Sequence, residues 1–202
     1  MSLETYRRKR RFDRTPEPSG RERRAPKATS DARSGRFVVH RHRATRLHYD
    51  VRLEVRGVLV SWAVPRGPSL DPAQRRLAVH VEDHPLGYFG FEGVIPRAQY
   101  GAGDVIVWDW GRWTLHPSQP DAAEAIESGH LKFSLEGEKL HGAFVLIRTP
   151  SSPGRKEQWL LIHRRDEAAV PGWDTEDHPR SVKTGRTNDE LGSRTAGTAS
   201  RG

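Results

Sequence analysis

Apolar and polar side chains alternate most regularly in the stretch FVVHRHRATRLHYDVRLEV, residues 37 to 55. Leu47, Tyr49, Val51, Leu53 and Val55 fall on one side of an extended chain, and His48, Asp50, Arg52 and Glu54 on the other. That period of two predicts a β-strand with one apolar and one charged face. Runs of the same kind occur at 37–42, 59–64, 76–82, 104–110, 131–135, 142–148 and 158–163. Turn-forming residues separate them at Arg56-Gly57, at Pro65 to Pro68 and at Glu136-Gly137. One short helix is predicted over 120–128, with Asp121 as N-cap before AAEAIE and Gly129 just past its end. Many short strands and few helices predict a mainly β protein, a barrel or sandwich in preference to βαβ units.

The ends of the chain read differently. Residues 13–36 carry Pro, Gly, Ser and charge without hydrophobic periodicity, which predicts a linker or mobile segment, and the stretch from about Thr175 onward is similar. The expected organisation is a basic N-terminal arm and linker at 1–36, one β domain at 37–170 and a disordered tail at 171–202. Residues 1–36 hold 12 Lys and Arg against 5 Asp and Glu, whereas the remainder is nearly balanced, 22 against 21. Basic character concentrated in an arm is expected of a chain that meets phosphates. No run of about 18 apolar residues is present, and no hydrophobic stretch follows MSLETYRRKRRF. The chain has no cysteine, so thiol nucleophiles, disulfides and thiolate metal sites are excluded. A cytoplasmic protein of a bacterial or archaeal cell, with no membrane association, is expected.

Five of the ten histidines (40, 42, 48, 80 and 84) lie within 45 residues. His42, His48 and Asp50 offer two imidazoles and a carboxylate, a donor set that suits Mn²⁺ or a similar divalent ion acting on a phosphoryl oxygen. By the same period of two, LAVHVEDH places His80, Glu82 and His84 on a second polar face. Arg52 shares the ligands' side of its strand, and Arg66, Arg76 and Arg97 are further candidates for holding an anion through a guanidinium fork. The segment HPLGYFGFEGVIPRAQYGAGD (84 to 104) is glycine-rich, and its Tyr88 and Tyr100 could donate hydrogen bonds or stack on a base. It is neither a P-loop nor a dinucleotide fingerprint. The six tryptophans are expected to pack in the core.

These motifs together resemble the 3′-phosphoesterase domain of bacterial DNA ligase D. The resemblance is carried by FVVHRHRATRLHYDVRLEVRGVLVSWAVPRGP, LAVHVEDHPLGYFGFEGVIPRAQYGAGDVIVWDWGRW, GEKLHGAFVLIR and WLLIHRRD, with KRRFDRTPEPSG as the opening motif. It covers roughly residues 6 to 170, and the absence of ligase and polymerase motifs suggests a stand-alone version. The resemblance implies a closed β-barrel of about eight strands with a polar central cavity, one or two short helices and flexible termini. It also implies manganese at His42, His48 and Asp50, with Arg52 and His84 on the phosphate. Tyr88 and Glu82 would assist catalysis, while Arg76, Arg66, Arg10 and Glu17 would support phosphate and ribose binding. The implied activity is healing of DNA 3′ ends, by removal first of a terminal ribonucleoside and then of the 3′-phosphate. The implied partners are DNA or ribonucleotide-ended primers, a separate ligase and end-joining proteins.

Three positions depart from the family's pattern: Arg11 stands where an acid is usual, His40 where glutamine is common, and Arg66 where lysine is usual. Two other readings fit the same residues. A non-catalytic module would hold DNA ends without an ion. A cupin-type oxygenase would also place histidines and an acid in a β-barrel, but it gives the arginines no task.

Overall fold

The computed structural model describes residues 1–21, 31–150, 154 and 156–192. Nine strands form one sheet: β1 (Ser34–Arg43), β2 (Leu47–Val55), β3 (Val58–Val64), β4 (Arg76–Pro85), β5 (Gly93–Ile95), β6 (Gly103–Leu115), β7 (His130–Gly137), β8 (His141–Arg148) and β9 (Gln158–His163). Eight of them follow the predicted runs; the three-residue β5 was not expected. Hydrogen bonding runs β1-β2-β3-β4-β9-β8-β7-β6, and β6 returns to β1, so these eight antiparallel strands close into a barrel. β5 adds to the free side of β6 through Gly93↔Val105 to Ile95↔Gly103. The β2–β3 hairpin turns on Arg56 and Gly57, both with positive φ, as a two-residue turn of matching twist requires.

The barrel is filled by its apolar faces. Tyr49, Val51, Leu53 and Val55 of β2 pair in register with Val64, Trp62, Val60 and Val58 of β3. All eight join Trp108 and Trp113 of β6, Phe133 of β7, Phe144 of β8 and Trp159 of β9 in one buried cluster. Four of the six tryptophans are fully buried there, while Trp110 and Trp173 are half-buried against the core. The helix α2 (Ala122–Glu127) adds Ala122, Ala125 and Ile126, and Asp121 caps it by accepting from the amides of Ala123 and Glu124. The interior is therefore hydrophobic, and the charged face of β2 lies outside it. The polar cavity lies not at the expected centre of the barrel but on its outer wall. The reason is period two: a strand cannot give Tyr49 and Val51 to the core and turn Asp50 the same way.

A second layer covers that outer face. The helix α1 (Glu4–Arg8) and the chain after it, together with a 3₁₀ turn at Leu86–Gly90, bring Tyr6, Leu86 and Tyr88 onto Val38, Leu59 and Val107. Residues 4–21 are thus built onto the barrel, in contrast to the mobile segment expected from 13; residues 22–30 of the linker lie outside the described residues. Single anchors hold this stretch: Tyr6 is fully buried and donates to the Pro18 carbonyl, and Glu17 is buried beside Arg10. Part of the expected tail is packed as well. Val182 bonds to Val107 through its amide, Asn188 is buried against Arg41 and Asp104, and Ser181 and Thr184 bond to Glu92. Residues 193–202 lie outside the described residues.

Candidate active site

The polar side of β2 pairs with matching positions on its neighbours. His42↔His48, His40↔Asp50 and Val38↔Arg52 join it to β1, and Arg52↔Ser61 and Asp50↔Ala63 to β3. β4 reaches the same face only through a bulge. Ser61 pairs with Val81 and Leu59 with His84, so β4 carries one residue more than β3 between these pairs. The extra residue breaks the parity that the sequence suggests for His80, Glu82 and His84. His80 stays on the core side, stacked on Trp62 at 5.3 Å, while Glu82 and His84 turn to the outer pocket.

His42, His48 and Asp50 converge at the pocket, with one ligand atom of each within 4.8 Å of the others. His42 Nδ1 and His48 Nε2 each stand 3.7 Å from an Asp50 carboxylate oxygen. The far ring nitrogens are fixed by backbone carbonyls, His42 Nε2 by Gly101 at 2.9 Å and His48 Nδ1 by Arg46 at 3.0 Å. A carbonyl only accepts, so the proton of each neutral ring sits on the far nitrogen and the lone pairs face Asp50. Both carbonyls come from turns, residues 44–46 between β1 and β2 and residues 96–102 between β5 and β6.

Arg52 lies beside this group, 2 % exposed. Its Nη2 donates to Asp50 (3.0 Å), its Nη1 to Ser61 (2.8 Å) and its Nε to His40 (3.3 Å), and Nη1 lies 2.8 Å from His84 Nδ1. Burial acts to raise the Asp50 pKa, but the Arg52 charge beside it holds the carboxyl well below its usual range. His84 and His40 are driven the other way. Burial, then the Arg52 charge, lowers both pKa values, with Arg10 adding to the effect on His84, so both rings are neutral at pH 7. Arg10 reaches in from the N-terminal segment, 3.2 Å from His84 Nε2, and pairs with Glu17 at 2.8 Å and Glu82 at 3.1 Å. Tyr88 packs edge-on against His84 and His40 and beneath the Arg52 guanidinium, and its burial raises its hydroxyl pKa.

The pocket, about 300 Å³, is lined by Arg10, His42, His48, Asp50, Arg52, Glu82, His84 and Tyr88 among others. Of the expected site residues, Glu17 acts from behind through Arg10, and two others lie elsewhere. Arg76 pairs with Leu161 on the parity of Ala78, which is the core side of β4. Arg66 is exposed after β3 and offers its carbonyl to Thr175. Sequence reasoning did not assign Ser61, Lys9 or Lys156 to the site. Lys9 pairs with Glu82 at 3.0 Å, and Lys156 lines the pocket from the β8–β9 connection. Ser61 had a signal, being the one polar residue in VLVSWAV opposite Arg52; Lys156 had none.

Residues 40–148 match the family described as the DNA ligase D 3′-phosphoesterase domain. The chain is similar to the multifunctional non-homologous end joining protein LigD of Pseudomonas aeruginosa, 52 % identical over 188 residues, covering 92 % of this chain and 21 % of that protein. It is 40 % identical over 168 residues to the protein of that name from Mycolicibacterium smegmatis, covering 82 % and 21 %. It is 44 % identical over 162 residues to the multifunctional non-homologous end joining DNA repair protein LigD of Mycobacterium tuberculosis, covering 80 % and 19 %. The chain thus spans about a fifth of the length of these relatives.

Proposed function

This chain belongs to the DNA ligase D 3′-phosphoesterase domain family, and from that membership we propose that it is a metal-dependent phosphoesterase that heals DNA 3′ ends for end joining. The observation that carries the reading is one pocket holding both a three-donor metal group and a buried arginine–histidine pair. The donor set fits a divalent transition ion: two imidazole lone pairs and a carboxylate face one gap, each imidazole oriented from behind. His42, His48 and Asp50 would hold manganese or a similar ion, which when bound supplies Lewis-acid polarisation of a phosphoryl oxygen.

The remaining chemistry belongs to the chain's own groups. Arg52 is a fixed positive charge in a dry wall, oriented by His40, Ser61 and Asp50, and neutralises the phosphoryl group with no reorganisation when charge builds on it. His84 is neutral while two guanidiniums face it. Burial lowers its pKa first and those two charges add to it; an anionic phosphate offsets the charges and so favours a proton on the ring. As water oxygen bonds to phosphorus and the bond to O3′ breaks, that proton passes from His84 to the leaving oxygen. Glu82 and Arg10, held by Lys9 and Glu17, line the same pocket and would serve the diesterase step by receiving the terminal ribose.

The test is a labelled primer–template ending in one ribonucleotide or in a 3′-phosphate, incubated with Mn²⁺, with 3′-phosphate and 3′-hydroxyl products resolved. Both products form with the unaltered chain, and neither forms with His42→Ala or Asp50→Ala. Retention of full rate by both variants overturns the reading. A Mn²⁺ titration separates it from a non-catalytic end-binding module, which needs no ion.

A further inference from the structure

We propose that the two turns at the pocket rim, residues 44–46 and 96–102, form the rest for the phosphodiester backbone of the substrate strand, with Arg46 and Arg97 as its phosphate contacts. The inference rests on the reading of a DNA 3′ end as substrate and adds where the rest of the strand lies. The pocket is at the small end of ligand sites, room for a terminal sugar and phosphate, so the rest of a polymer must leave across the rim.

The two turns are packed together at that rim. Arg43 pairs with Asp104 across β1 and β6, and a methyl group placed on Gly103 would collide with the Arg43 carbonyl and lie 2.8 Å from Ala44 Cα. Each turn gives one carbonyl to a metal-group imidazole, Arg46 to His48 and Gly101 to His42. Each also carries one exposed arginine, Arg46 and Arg97, whose guanidinium makes no hydrogen bond or ion pair with a described residue.

Neighbouring cations are spent differently. Arg43 is bound to Asp104 and Asp189, Arg41 to Glu176 and Asn188, and Arg10 to Glu17 and Glu82. The carboxylates lining the pocket, Asp50 and Glu82, are both paired, so neither competes for Arg46 or Arg97. What is left, beside Lys156 in the pocket lining, is a rim that presents two open guanidiniums, suited to phosphates on a chain of any sequence. Because these turns also aim His42 and His48, a strand seated on them is placed in register with the metal group.

The experiment measures binding of the whole chain, without metal, to a fluorescent primer–template ending in a 3′-hydroxyl, by anisotropy across a salt series. Each phosphate contact adds about 0.9 to the slope of log affinity against log salt. R46Q/R97Q is expected to flatten the slope by about 1.8, and R46K/R97K to keep it. R164Q/R165Q, which removes the same charge from the exposed chain after β9, is expected to leave it unchanged. The proposal is overturned if R46Q/R97Q keeps the original slope, if both glutamine pairs flatten it equally, or if the unaltered chain does not bind the duplex. No turnover enters this measurement, so a chain that binds as expected yet hydrolyses no 3′ end would refute the proposed activity and leave the surface standing.

Discussion

Arg52→Lys is the sharpest probe of the site, because it keeps the charge and removes the fork. In the structure the guanidinium uses three nitrogens at once, toward His40, Ser61 and Asp50, at 3.3, 2.8 and 3.0 Å. A lysine ammonium is a single point at the end of a flexible stem and keeps one of these three acceptors. The residue is 2 % exposed, so water does not readily replace what is lost. Hydrogen bonds involving a charged group contribute about 1.5–3 kcal/mol each, so losing two costs roughly 3–6 kcal/mol. Part of this falls on folding and part on the transition state. If half falls on the transition state, kcat/KM on a 3′-phosphate drops roughly 10- to 150-fold, at about 1.4 kcal/mol per factor of ten. The assay pairs steady-state hydrolysis with a thermal melt and a Mn²⁺ titration. The expected pattern is a loss in kcat and a lower Tm with ion affinity kept, since the lysine charge still holds Asp50 ionised. A variant within threefold of the original rate would refute the claim that geometry, and not charge alone, makes Arg52 effective.

Other outcomes follow from the same geometry. Gly103→Ala, with φ at +143° and the Arg43 carbonyl in the way of the added carbon, should force apart the two turns that aim His42 and His48; calorimetry should show Mn²⁺ affinity reduced at least ~10-fold, about 1.4 kcal/mol. His40→Gln should make the fold less sensitive to acid. A histidine whose folded pKa lies below its ordinary 6.5 is protonated first in the unfolded chain, so its contribution is full above pH 6.5 and is lost as pH falls toward the folded value. The glutamine side chain cannot protonate but still offers an oxygen to Arg52 Nε, so the Tm of the variant should fall less between about pH 7.5 and 5; an equal fall in both chains would contradict this. Asp121→Ala should cost about 1 kcal/mol in denaturant titrations by uncapping α2, with hydrolysis unchanged.

The strands were legible because their apolar positions repeat every two residues, and the α2 cap because Asp121 and Gly129 bracket a helix-forming run. His48 and Asp50 stood out for the same reason, and the structure brings His42 to them across the β1–β2 pairing. The alternation does not mark a bulge, so one extra residue in β4 separated His80 from His84 unannounced. Nor does composition mark docking: residues 4–21 have no periodicity and are held by isolated anchors, Tyr6 and Glu17, that resemble solvated residues in sequence. Lys156 enters the pocket through tertiary placement alone.

The apolar filling of the barrel has a consequence for the kind of molecule the protein can process. An eight-stranded barrel has an interior just wide enough for its own side chains. A catalytic centre in the lumen would admit only a small, free molecule, which would have to thread in and diffuse back out. With the proposed site on the outer wall, a long polymer could approach sideways, present one terminus and depart without any strand of the barrel opening. Turnover can then proceed on a rigid scaffold, and the length of the polymer places no demand on it.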